Sequence, residues 1–380
     1  MKAVAAQLDP HHQELWRRVS EWAKHVLRPR DEPASDDAAR NEARTILREI
    51  GRAGWLHALE SQDLRSVCLV REAVAAASPL ADAVVAIQGL GATVLVLGGN
   101  AEQQELWLRG ITSGEVMAGF AMTEPEAGSD VGSLKTTACR DGDGWIIEGE
   151  KHLISNAGIA DVYLVFAKTT PEAGSRGISV FLVPSQSHGL TFDGAQVLAA
   201  AHPLGRVRFR DCRVAESALV GEIDRGFKLG MQTLDRLRPT VGAAACGMAT
   251  RALDEAVAHA RQRRQFGQPL ADMPVIRAKI GQMATDLDAA RLLVYRAAWE
   301  QAQGDERISR SAAMAKLFAT EMAQRVVDEA VQIVGGAGVL VGHPVERLYR
   351  AVRALRIYEG ASDIQRLIVA GSVFDEAAKA

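Results

Sequence analysis

A single carboxylate in the turn sequence Tyr-Glu-Gly at 358–360 stands where a lone general base could meet a substrate. Before it, arginines recur every three residues, which predicts one helical face that holds Arg347, Arg350, Arg353 and Arg356. After it, Ser362 and Gln365 have the Ser-x-x-Gln spacing of a capping box, which predicts the start of a new helix. Gly360 permits the bend between the two helices. Glu359 is therefore a candidate base, and a solvated turn is the alternative interpretation.

Residue patterns predict helices on both sides of a central β-region. Apolar residues recur at helical spacing near the N-terminus, as in Leu15, Val19, Trp22 and Val26. From about residue 119, short alternating runs are separated by turn signals, and Asp141-Gly-Asp-Gly144 predicts a β-hairpin. From about residue 226 the pattern is helical again. We therefore expect an α+β, multidomain chain with a helical domain, a β-domain and a second helical domain over 1–118, 119–225 and 226–380.

The composition excludes several classes of protein. A chain of 380 residues is long enough for two or three domains, and 48% apolar with 24% charged residues is ordinary for a globular protein. The net charge of −3 gives no reason to bind nucleic acid or anionic membranes. Four scattered cysteines without Cys-x-x-Cys spacing indicate neither a disulfide framework nor a metal site. The N-terminus lacks a signal-peptide pattern, and no apolar run of about 18 residues suggests a membrane span, so we expect a cytoplasmic protein.

The segment 120–130, Phe-Ala-Met-Thr-Glu-Pro-Glu-Ala-Gly-Ser-Asp, has the composition of a ligand-binding loop. A strand end followed by Pro and Gly offers free backbone N–H groups, and Thr123 and Ser129 add hydroxyls. Such a loop can hold a polar ring edge or a pyrophosphate, although many loops of this kind are only turns. Ser155, in Lys151-His-Leu-Ile-Ser-Asn156, could contact the same ligand.

Two further motifs lie in the second helical region. In Arg263-Arg-Gln-Phe-Gly267, Arg263 could bind a phosphate and Phe266 could pack on a flat ring. A basic helix terminus, favoured by the helix dipole, is an equally good interpretation. Gln332-Ile-Val-Gly-Gly-Ala-Gly338 is not a dinucleotide-binding loop, because its glycines follow a helix rather than a strand. Closing the helix with glycine explains it without a ligand.

Together these motifs resemble those of the acyl-CoA dehydrogenase family, and the resemblance covers nearly the whole chain. The shared patterns, in order, are Thr-Glu-Pro-x-Ala-Gly-Ser-Asp, Arg-x-x-Phe-Gly, Gln-Ile-x-Gly-Gly-x-Gly and Tyr-Glu-Gly-x-Ser-x-Ile-Gln-Arg. The resemblance implies a central β-barrel-like or sandwich domain and a C-terminal four-helix bundle. It implies FAD as cofactor and α,β-dehydrogenation of an acyl-CoA, in which Glu359 takes the α-proton and flavin N5 takes the β-hydride. It also implies an electron-transfer flavoprotein as electron acceptor.

The resemblance assigns binding residues position by position. Thr123 would lie near the pyrimidine edge of the flavin and Ser155 near N5. The cofactor-binding set is Phe120, Met122, Thr123, Gly128, Ser129, Leu153, Ser155, Arg263, Phe266, Gln332, Gly335, Gly336, Ser362 and Asp363. The substrate-binding set is Ser129, Asp235, Arg238 and Gly360. In the family several of these residues reach the FAD of a neighbouring subunit, which implies a homotetramer built as a dimer of dimers.

Some positions depart from the family pattern. Leu153 stands where Trp is common, Ala361 where Thr is common and Ala351 where Asp is frequent. Asp82 aligns roughly with the Arg that binds the distal carboxylate in glutaryl-type relatives, so a dicarboxylyl-CoA is disfavoured and a short, branched or alicyclic acyl group is favoured. A solvated helix Asp or an N-cap is the alternative for Asp82. The alternative functions are an oxygen-using acyl-CoA oxidase or flavin oxidase and a non-dehydrogenating, DNA-associated relative.

Overall fold

The computed structural model describes residues 1–60, 63–304 and 308–378. The chain forms two compact units, of which the first comprises Met1–Glu32, Gln62–Asp82 and Asp235–Ala380, and the second comprises Pro33–Ser61 and Ala83–Leu234. The residues of the expected N-terminal helical domain are therefore divided between the two units. The domain boundaries drawn from the sequence stay predictions.

The described part of the chain has helices at its two ends and strands at its centre. The helices are α1 (Pro10–Val26), α2 (Asp36–Arg52), α3 (Leu64–Ala77), α4 (Pro79–Gly98), α5 (Ala101–Gln103), α6 (Arg109–Ser113), α7 (Gly226–Gln262), α8 (Pro274–Ala302), α9 (Ser309–Val334), α10 (Pro344–Leu355) and α11 (Ser362–Ala377). The strands are β1 (Ala118–Ala121), β2 (Thr137–Asp141), β3 (Gly144–Ser155), β4 (Val162–Lys168), β5 (Ile178–Pro184), β6 (Leu190–Ala195), β7 (Leu204–Ala215), β8 (Leu219–Val220), β9 (Arg264–Gln265) and β10 (Gln268–Pro269). The expected order of helical, β and helical regions is confirmed.

The first unit is organised around α9, which packs against α8, α10 and α11. The buried face of α9 is rich in alanine, including Ala312, Ala315, Ala319 and Ala323, so neighbouring helices can approach closely. Lys316 lies on this same buried face. In the described residues five α-helices begin at or after Gly226, and the expected helical C-terminal domain is confirmed.

The helix α10 has the two faces that the arginine spacing predicts. Its apolar face buries Val345, Leu348, Val352 and Leu355. On the polar face Arg350 binds Glu32 through two hydrogen bonds of 3.0 and 2.5 Å. Just after the helix, Arg356 donates to Glu321 at 2.9 Å. Burial of one side and pairing of the other fix the helix that leads into the Glu359 turn.

The second unit contains an eight-stranded mixed sheet with the order β6-β7-β3-β2-β4-β5-β8, and β1 pairs with β4. The strands β2 and β4 join the two halves of this sheet, and they pair at one register position, Thr137 with Lys168. The core lies between these halves, where the Trp145 and Phe181 rings have centroids 5.2 Å apart. Two sheet halves that pack across a common core agree with the expected sandwich-like domain. The predicted hairpin is confirmed, since Asp141 pairs with Gly144 across the turn.

The helix α4 corrects one expectation from composition. By length and composition alone it could cross a membrane, whereas no such segment was expected from the sequence. However, 83% of its most apolar window is buried inside the protein. A buried core helix passes the same test, so this helix is weak evidence for a membrane span.

Candidate active site

The Glu359 turn has an unusual backbone. Glu359 has φ of 53° and Gly360 has φ of 94°, both in the left-handed region. Glycine adopts this region without cost, whereas a glutamate does not. A Cβ at Gly360 would also collide with Nε2 of Gln365. The strain at Glu359 is of the kind that persists at functional sites, where the surroundings hold a residue in place.

Two buried side chains hold this turn through one carbonyl oxygen. Lys316 Nζ donates to the Gly360 oxygen at 2.8 Å, and Gln365 Nε2 donates to the same oxygen at 2.9 Å. The Lys316 and Gln365 side chains are fully buried. Since they come from α9 and α11, two helices fix the position of Glu359. Lys316 was not identified from the sequence, although a lysine within an alanine-rich apolar face was the available signal.

The predicted capping box is wrong. The helix α11 begins at Ser362 itself, its N-cap is Ala361, and no side chain caps it. The Ser362 hydroxyl instead donates to Glu321 Oε1 at 2.6 Å. The Gln365 side chain turns to the Gly360 carbonyl rather than to the N-cap N–H. The glutamate that accepts from Ser362 lies 41 residues away, so spacing along the chain could not reveal it.

The carboxyl group of Glu359 is poised as a base. The residue as a whole is partly exposed, but its Oε2 atom is buried and has no hydrogen-bond partner in the described structure. Burial raises the pKa of Glu359, while the cations of Arg71, Lys316 and Arg238 oppose this rise and Asp82 adds to it. A buried acceptor without a partner is costly, so a native structure that keeps one usually needs it for function.

The two residues predicted to contact CoA are bound to each other. Arg238 forms an ion pair with Asp235, and Asp235 also accepts a hydrogen bond of 2.7 Å from Ser309. Arg238 is largely buried, and burial lowers the pKa of its guanidinium. Its Nε is buried and lacks a partner within the described ranges. Arg238 lies beside the turn of Glu359, since its Nε would be 3.8 Å from a Cβ at Gly360, and this Nε is a donor that a ligand could use.

Asp82 is neither solvated nor an N-cap. It lies in the first turn of α4 with 1% of its side chain exposed, and it pairs with Arg71, of which 2% is exposed. Both oxygens of Asp82 accept from the guanidinium at 2.9 Å, and Arg71 donates to the Thr240 hydroxyl at 2.9 Å as well. Asp82 is thus engaged within the protein, and it neither repels nor attracts a distal carboxylate as a free charge would.

In the second unit, a buried ion pair anchors the loop that follows β1. Lys151 Nζ donates to Glu124 at 2.7 Å and to the Met122 carbonyl at 3.1 Å. Glu124 also accepts from the backbone N–H groups of Lys135 and Thr136. This pair was missed from the sequence, because it joins residues 27 positions apart. Its contacts fix the backbone at Met122, within the predicted flavin-binding segment, and at Lys135 and Thr136, after that segment.

That segment presents the groups predicted to bind FAD. Phe120 lies in β1, and its ring centroid is 5.0 Å from that of Phe166. Thr123 is half-buried, whereas Gly128 and Ser129 are exposed, and the space beside Gly128 is open. Exposed N–H groups and hydroxyls with open space around them suit a polar ring edge or a phosphate.

Near the end of β3 the backbone is strained at Leu153, the position where the family commonly has a tryptophan. Leu153 has φ of 55°, its backbone N–H donates to Gln196 at 2.9 Å, and 48% of the residue is exposed. Ser155 Oγ lies 2.7 Å from Nε2 of His202, and burial lowers the pKa of His202 to about 4. The imidazole is therefore neutral near pH 7. Ser155 can donate its proton to a cofactor only when His202 carries its own proton on Nε2.

The Arg263–Gly267 motif does not lie on a helix. The helix α7 ends at Gln262, and β9 and β10 form a hairpin whose two-residue turn is Phe266-Gly267, with φ of 51° and 80°. Phe266 is 92% exposed and Arg263 is exposed. Two positive φ values in such a turn favour Gly and Asn, so an aromatic residue there is costly and points to a binding partner.

The glycine motif after α9 is exposed as well. Gln332, Gly335 and Gly336 are on the surface, and a Cβ at either glycine would meet nothing within 4 Å. Two predicted FAD contacts remain. Ser362 is buried and donates to Glu321, whereas Asp363 is exposed and pairs with Arg366. The exposed Arg263 guanidinium suits the phosphates of FAD, and the exposed Phe266 ring suits its flat ring system. The open space beside Gly335 and Gly336 lets a ligand approach the backbone there. The Ser362 hydroxyl already donates to Glu321, so it could contact FAD only as an acceptor, and its role stays a prediction.

One group of side chains has the spacing of a metal site. Asp9, His11 and His12 offer ligand atoms within 4.8 Å of one another. However, His12 Nδ1 accepts from the Asp9 backbone N–H at 3.0 Å, and His12 Nε2 binds Asp63 at 2.5 Å. Both ring nitrogens of His12 are used by the fold, so this group is not a candidate metal centre.

Comparison with known families matches three domain descriptions to the chain. The acyl-CoA dehydrogenase N-terminal, middle and C-terminal domains match residues 9–115, 119–212 and 224–374. The chain belongs to the acyl-CoA dehydrogenase family. It is an FAD-dependent oxidoreductase that acts on CH–CH bonds of acyl-CoA substrates.

Individual relatives are similar over most of their length. The 3-(aryl)acrylate reductase of Clostridium sporogenes is 39% identical over 82% of this chain and 83% of its own. The cyclohexane-1-carbonyl-CoA dehydrogenase of Geobacter metallireducens is 38% identical over 82% of both chains. Butyryl-CoA dehydrogenase from Megasphaera elsdenii superposes with a TM-score of 0.90 at 30% identity, over 97% of this chain and 99% of its own. A chain from a structure described as the electron transferring flavoprotein of Acidaminococcus fermentans matches with a TM-score of 0.90 at 32% identity, over 96% and 98%.

Proposed function

We propose that this protein oxidises a short, branched or alicyclic acyl-CoA to the 2-enoyl-CoA, with Glu359 as the general base. The observation that carries this proposal is the Glu359 carboxyl, which is buried, lacks a partner for Oε2 and is held in a strained turn. A carboxylate with a raised pKa is a stronger base than an exposed one, and burial supplies that rise here.

The residues of the chain position and protect this base. Lys316 and Gln365 hold the Gly360 carbonyl, so the carboxyl group cannot swing out to solvent with the turn. The α-proton of an acyl thioester is weakly acidic, and Glu359 Oε2 is the open acceptor that would take it. FAD, when bound, accepts the hydride from the β-carbon. The segment from Met122 to Ser129 and Ser155 are the residues we propose to hold FAD. The exposed Arg263 and Phe266 are proposed to reach the FAD of a neighbouring subunit.

The proposed substrate class draws on the relatives. One relative is named for cyclohexane-1-carbonyl-CoA and another for a 3-(aryl)acrylate, which are bulky acyl groups rather than long straight chains. Asp82 gives no reason to exclude a dicarboxylyl-CoA, because Arg71 neutralises its carboxylate. We propose an electron-transfer flavoprotein as acceptor, as the family resemblance implies, and a structure whose description names such a flavoprotein contains a chain similar to this one.

Exposed apolar side chains support the proposal of a homotetramer. In the first unit the most exposed of these are Phe266 at 92%, Val341 at 90%, Phe374 at 73%, Leu367 at 68%, Val339 at 66% and Leu340 at 65%. Large apolar groups in such number are uncommon on the surface of a monomer and mark interaction surfaces. Copies of the same chain are the partners most often found for such surfaces.

An anaerobic screen with a panel of thioesters tests the activity and the substrate class together. The oxidised flavin is mixed with butyryl-, isobutyryl-, cyclohexanecarbonyl- and octanoyl-CoA, and bleaching is followed with time. We expect rapid bleaching by one or more of the first three and slow bleaching by octanoyl-CoA. Fastest reduction by octanoyl-CoA would refute the substrate class. If no thioester bleached the flavin, dehydrogenation itself would be refuted, and fast reoxidation by air would favour an oxidase.

A further inference from the structure

We infer that Glu321 of α9 is a positioning residue for the base, because its carboxylate ties together the two ends of the loop 356–362, which carries Glu359. Glu321 and its two partners, Arg356 and Ser362, form what we call the clasp. This role rests on the proposed function of Glu359 as the base. It goes further, because it gives the reaction a second carboxylate, which acts through the loop rather than on the substrate.

The loop is short, and its ends lie next to each other. It follows Leu355, the last residue of α10, and its own last residue, Ser362, begins α11. The Ser362 backbone N–H donates to the Arg356 carbonyl at 3.0 Å. Glu359, midway between these two residues, has φ of 53° in the left-handed region. One backbone hydrogen bond is modest support for a loop that holds a strained residue.

The side chains of the clasp supply further support. Arg356 Nε donates to Glu321 Oε1 at 2.9 Å, and Arg356 Nη2 lies 2.7 Å from Glu321 Oε2, so guanidinium and carboxylate are bound side by side. The Ser362 hydroxyl donates to the same Oε1 at 2.6 Å. One carboxylate on α9 therefore binds the first and the last residue of the loop. A bidentate pair of this kind fixes geometry and also adds binding energy.

The carboxylate of the clasp is charged and partly shielded from water. The exposed fraction is 19% for the Glu321 side chain and 29% for the Arg356 side chain. Burial opposes ionisation of Glu321, but the hydrogen bonds from Ser362 and Arg356 outweigh it and hold the pKa of this carboxyl below its ordinary value. Hydrogen bonds to an ionised acceptor are stronger than those to a neutral one, and partial burial limits screening by salt. The clasp is therefore stronger than an ion pair in open solvent.

Lys316 holds the middle of the loop from the same helix. It stands five residues before Glu321, which is about 7.5 Å along the axis of an α-helix. Its Nζ donates to the Gly360 carbonyl at 2.8 Å. The helix α9 therefore fixes both ends of the loop through Glu321, and the residue after the base through Lys316. Since α9 packs against α8, α10 and α11, the packed centre of the first unit sets the position of Glu359.

This arrangement distinguishes a positioning role from a purely structural one. A base must lie close to the proton that it takes, and a small displacement slows the transfer strongly. Without Glu321 the loop would still be attached through Lys316, but its ends would be held by one backbone hydrogen bond. The enzyme should then fold and bind FAD but react slowly. A carboxylate that served only the fold would lower stability and leave the reaction of the folded enzyme unchanged.

The first experiment measures the limiting rate constant of anaerobic flavin reduction in the FAD-loaded enzyme, with a saturating amount of the thioester that bleaches the flavin fastest. Glu321→Leu removes both links of the clasp and should lower this rate constant about tenfold to a hundredfold, as expected for a displaced base. Glu321→Gln keeps one carbonyl acceptor and should lie between Glu321→Leu and wild type. The thioester concentration that gives half the limiting rate should stay close to the wild-type value, because the clasp acts on the reacting step.

A double-mutant cycle tests whether Ser362 acts through Glu321. Ser362→Ala should slow flavin reduction in the wild-type background, because one link of the clasp is lost. In the Glu321→Leu background the same substitution should cause no further loss, since its acceptor is already absent. A hydroxyl that acted on FAD directly would cause the same loss in both backgrounds. Equal losses, or no loss in the wild-type background, would overturn the clasp.

Two controls separate the clasp from general effects. Glu376 also links α11 to α9, through an ion pair with Arg310 at 2.5 Å, but its side chain is 63% exposed and lies far from the loop along α11. Glu376→Leu should leave the rate constant unchanged. Arg291→Met breaks a buried ion pair with Glu72, where Arg291 Nε lies 2.7 Å from the carboxylate, and should lower the Tm without slowing the reaction. If Arg291→Met slowed flavin reduction as much as Glu321→Leu, lost stability would explain both results and the clasp would be overturned.

A second readout does not depend on turnover. Hydrogen–deuterium exchange of the peptide that spans residues 356–365, measured by mass spectrometry in the substrate-free enzyme, reports opening of the loop. Exchange should be faster in Glu321→Leu than in wild type and unchanged in Glu376→Leu. A wild-type rate of reduction or of exchange in Glu321→Leu would overturn the clasp while Glu359→Gln stayed inactive. Normal flavin reduction by Glu359→Gln would instead overturn the proposed function.

Discussion

At the scale of single residues, the catalytic turn combines strain with an unsatisfied acceptor. Glu359 lies in the left-handed region and its Oε2 has no partner in the part of the chain that the structure describes. Each of these features costs stability, and the cost is tolerated where function requires it. The sequence identified Glu359 as the candidate base because the Tyr-Glu-Gly turn is local. It singled out Asp82 but could not identify its partner Arg71, because their pairing depends on how two helices pack.

Glu359→Gln should stabilise the folded protein increasingly as the pH rises. Burial raises the pKa of Glu359 above its ordinary value, so its contribution to stability is present below the ordinary value and is lost as the pH rises through the folded one. Glutamine cannot ionise and does not lose this contribution. The Tm of the substrate-free, FAD-loaded variant should therefore exceed that of wild type by more at pH 8 than at pH 4.5. An equal difference at both pH values would show that the carboxyl is not perturbed.

Gly360→Ala should destabilise the turn and reduce activity. The added Cβ would collide with Gln365 Nε2, and the φ of 94° is unfavourable for alanine. We expect a loss of about 1–3 kcal/mol in the free energy of unfolding. Gly371→Ala is the matched control, because Gly371 lies within α11 with open space around it, and there alanine should be neutral or stabilising by about 1 kcal/mol or less. Equal effects of the two substitutions would contradict this picture of the turn.

At the scale of elements, periodicity and turn signals predicted what is local. The α10 helix, the β2–β3 hairpin and the helices after Gly226 follow from spacing along the chain. The hairpin at Arg264–Pro269 was not predicted, because a strand pair of two residues each is too short to show alternation. The Lys151–Glu124 pair was missed, because a lysine in a strand gives no signal of its partner.

Lys151→Met should loosen the β1 loop and weaken FAD binding. The substitution leaves Glu124 buried without its cation, a change that typically costs about 3–5 kcal/mol. The expected result is a lower Tm and a lower fraction of FAD retained after gel filtration, measured from the flavin absorbance. Lys135→Met is the control on the same loop, since its ion pair with Glu126 is exposed and its loss should change neither quantity. Full FAD retention by Lys151→Met would argue against the anchoring role.

At the scale of the whole molecule, the two units present different surfaces. The first unit carries large exposed apolar side chains on α11 and on the segment after α9, among them Phe374 and Val341. Composition predicted an ordinary globular protein, and it could not show where the apolar residues would be exposed. The homotetramer implied by the family resemblance remains a proposal that these surfaces support.

Replacing an exposed apolar residue in the first unit should weaken assembly. Phe374 is 73% exposed near the end of α11, so Phe374→Glu should place charges in a shared apolar surface. Light scattering coupled to gel filtration should show wild type as a tetramer and the variant as smaller species. Val197 is 75% exposed in the second unit and serves as the control, since Val197→Glu should leave the mass unchanged. A monomeric wild type would refute the assembly.

The central claim is that Glu359 removes the α-proton of a bound acyl-CoA. The most direct measurement is anaerobic stopped-flow reduction of the flavin in Glu359→Gln, compared with wild type and with Glu376→Gln, whose side chain is 63% exposed on α11. The account predicts that Glu359→Gln retains FAD and still binds the thioester, but that its flavin is reduced at least about a thousandfold more slowly. Glu376→Gln should react like wild type. Reduction of Glu359→Gln at the wild-type rate would contradict the account.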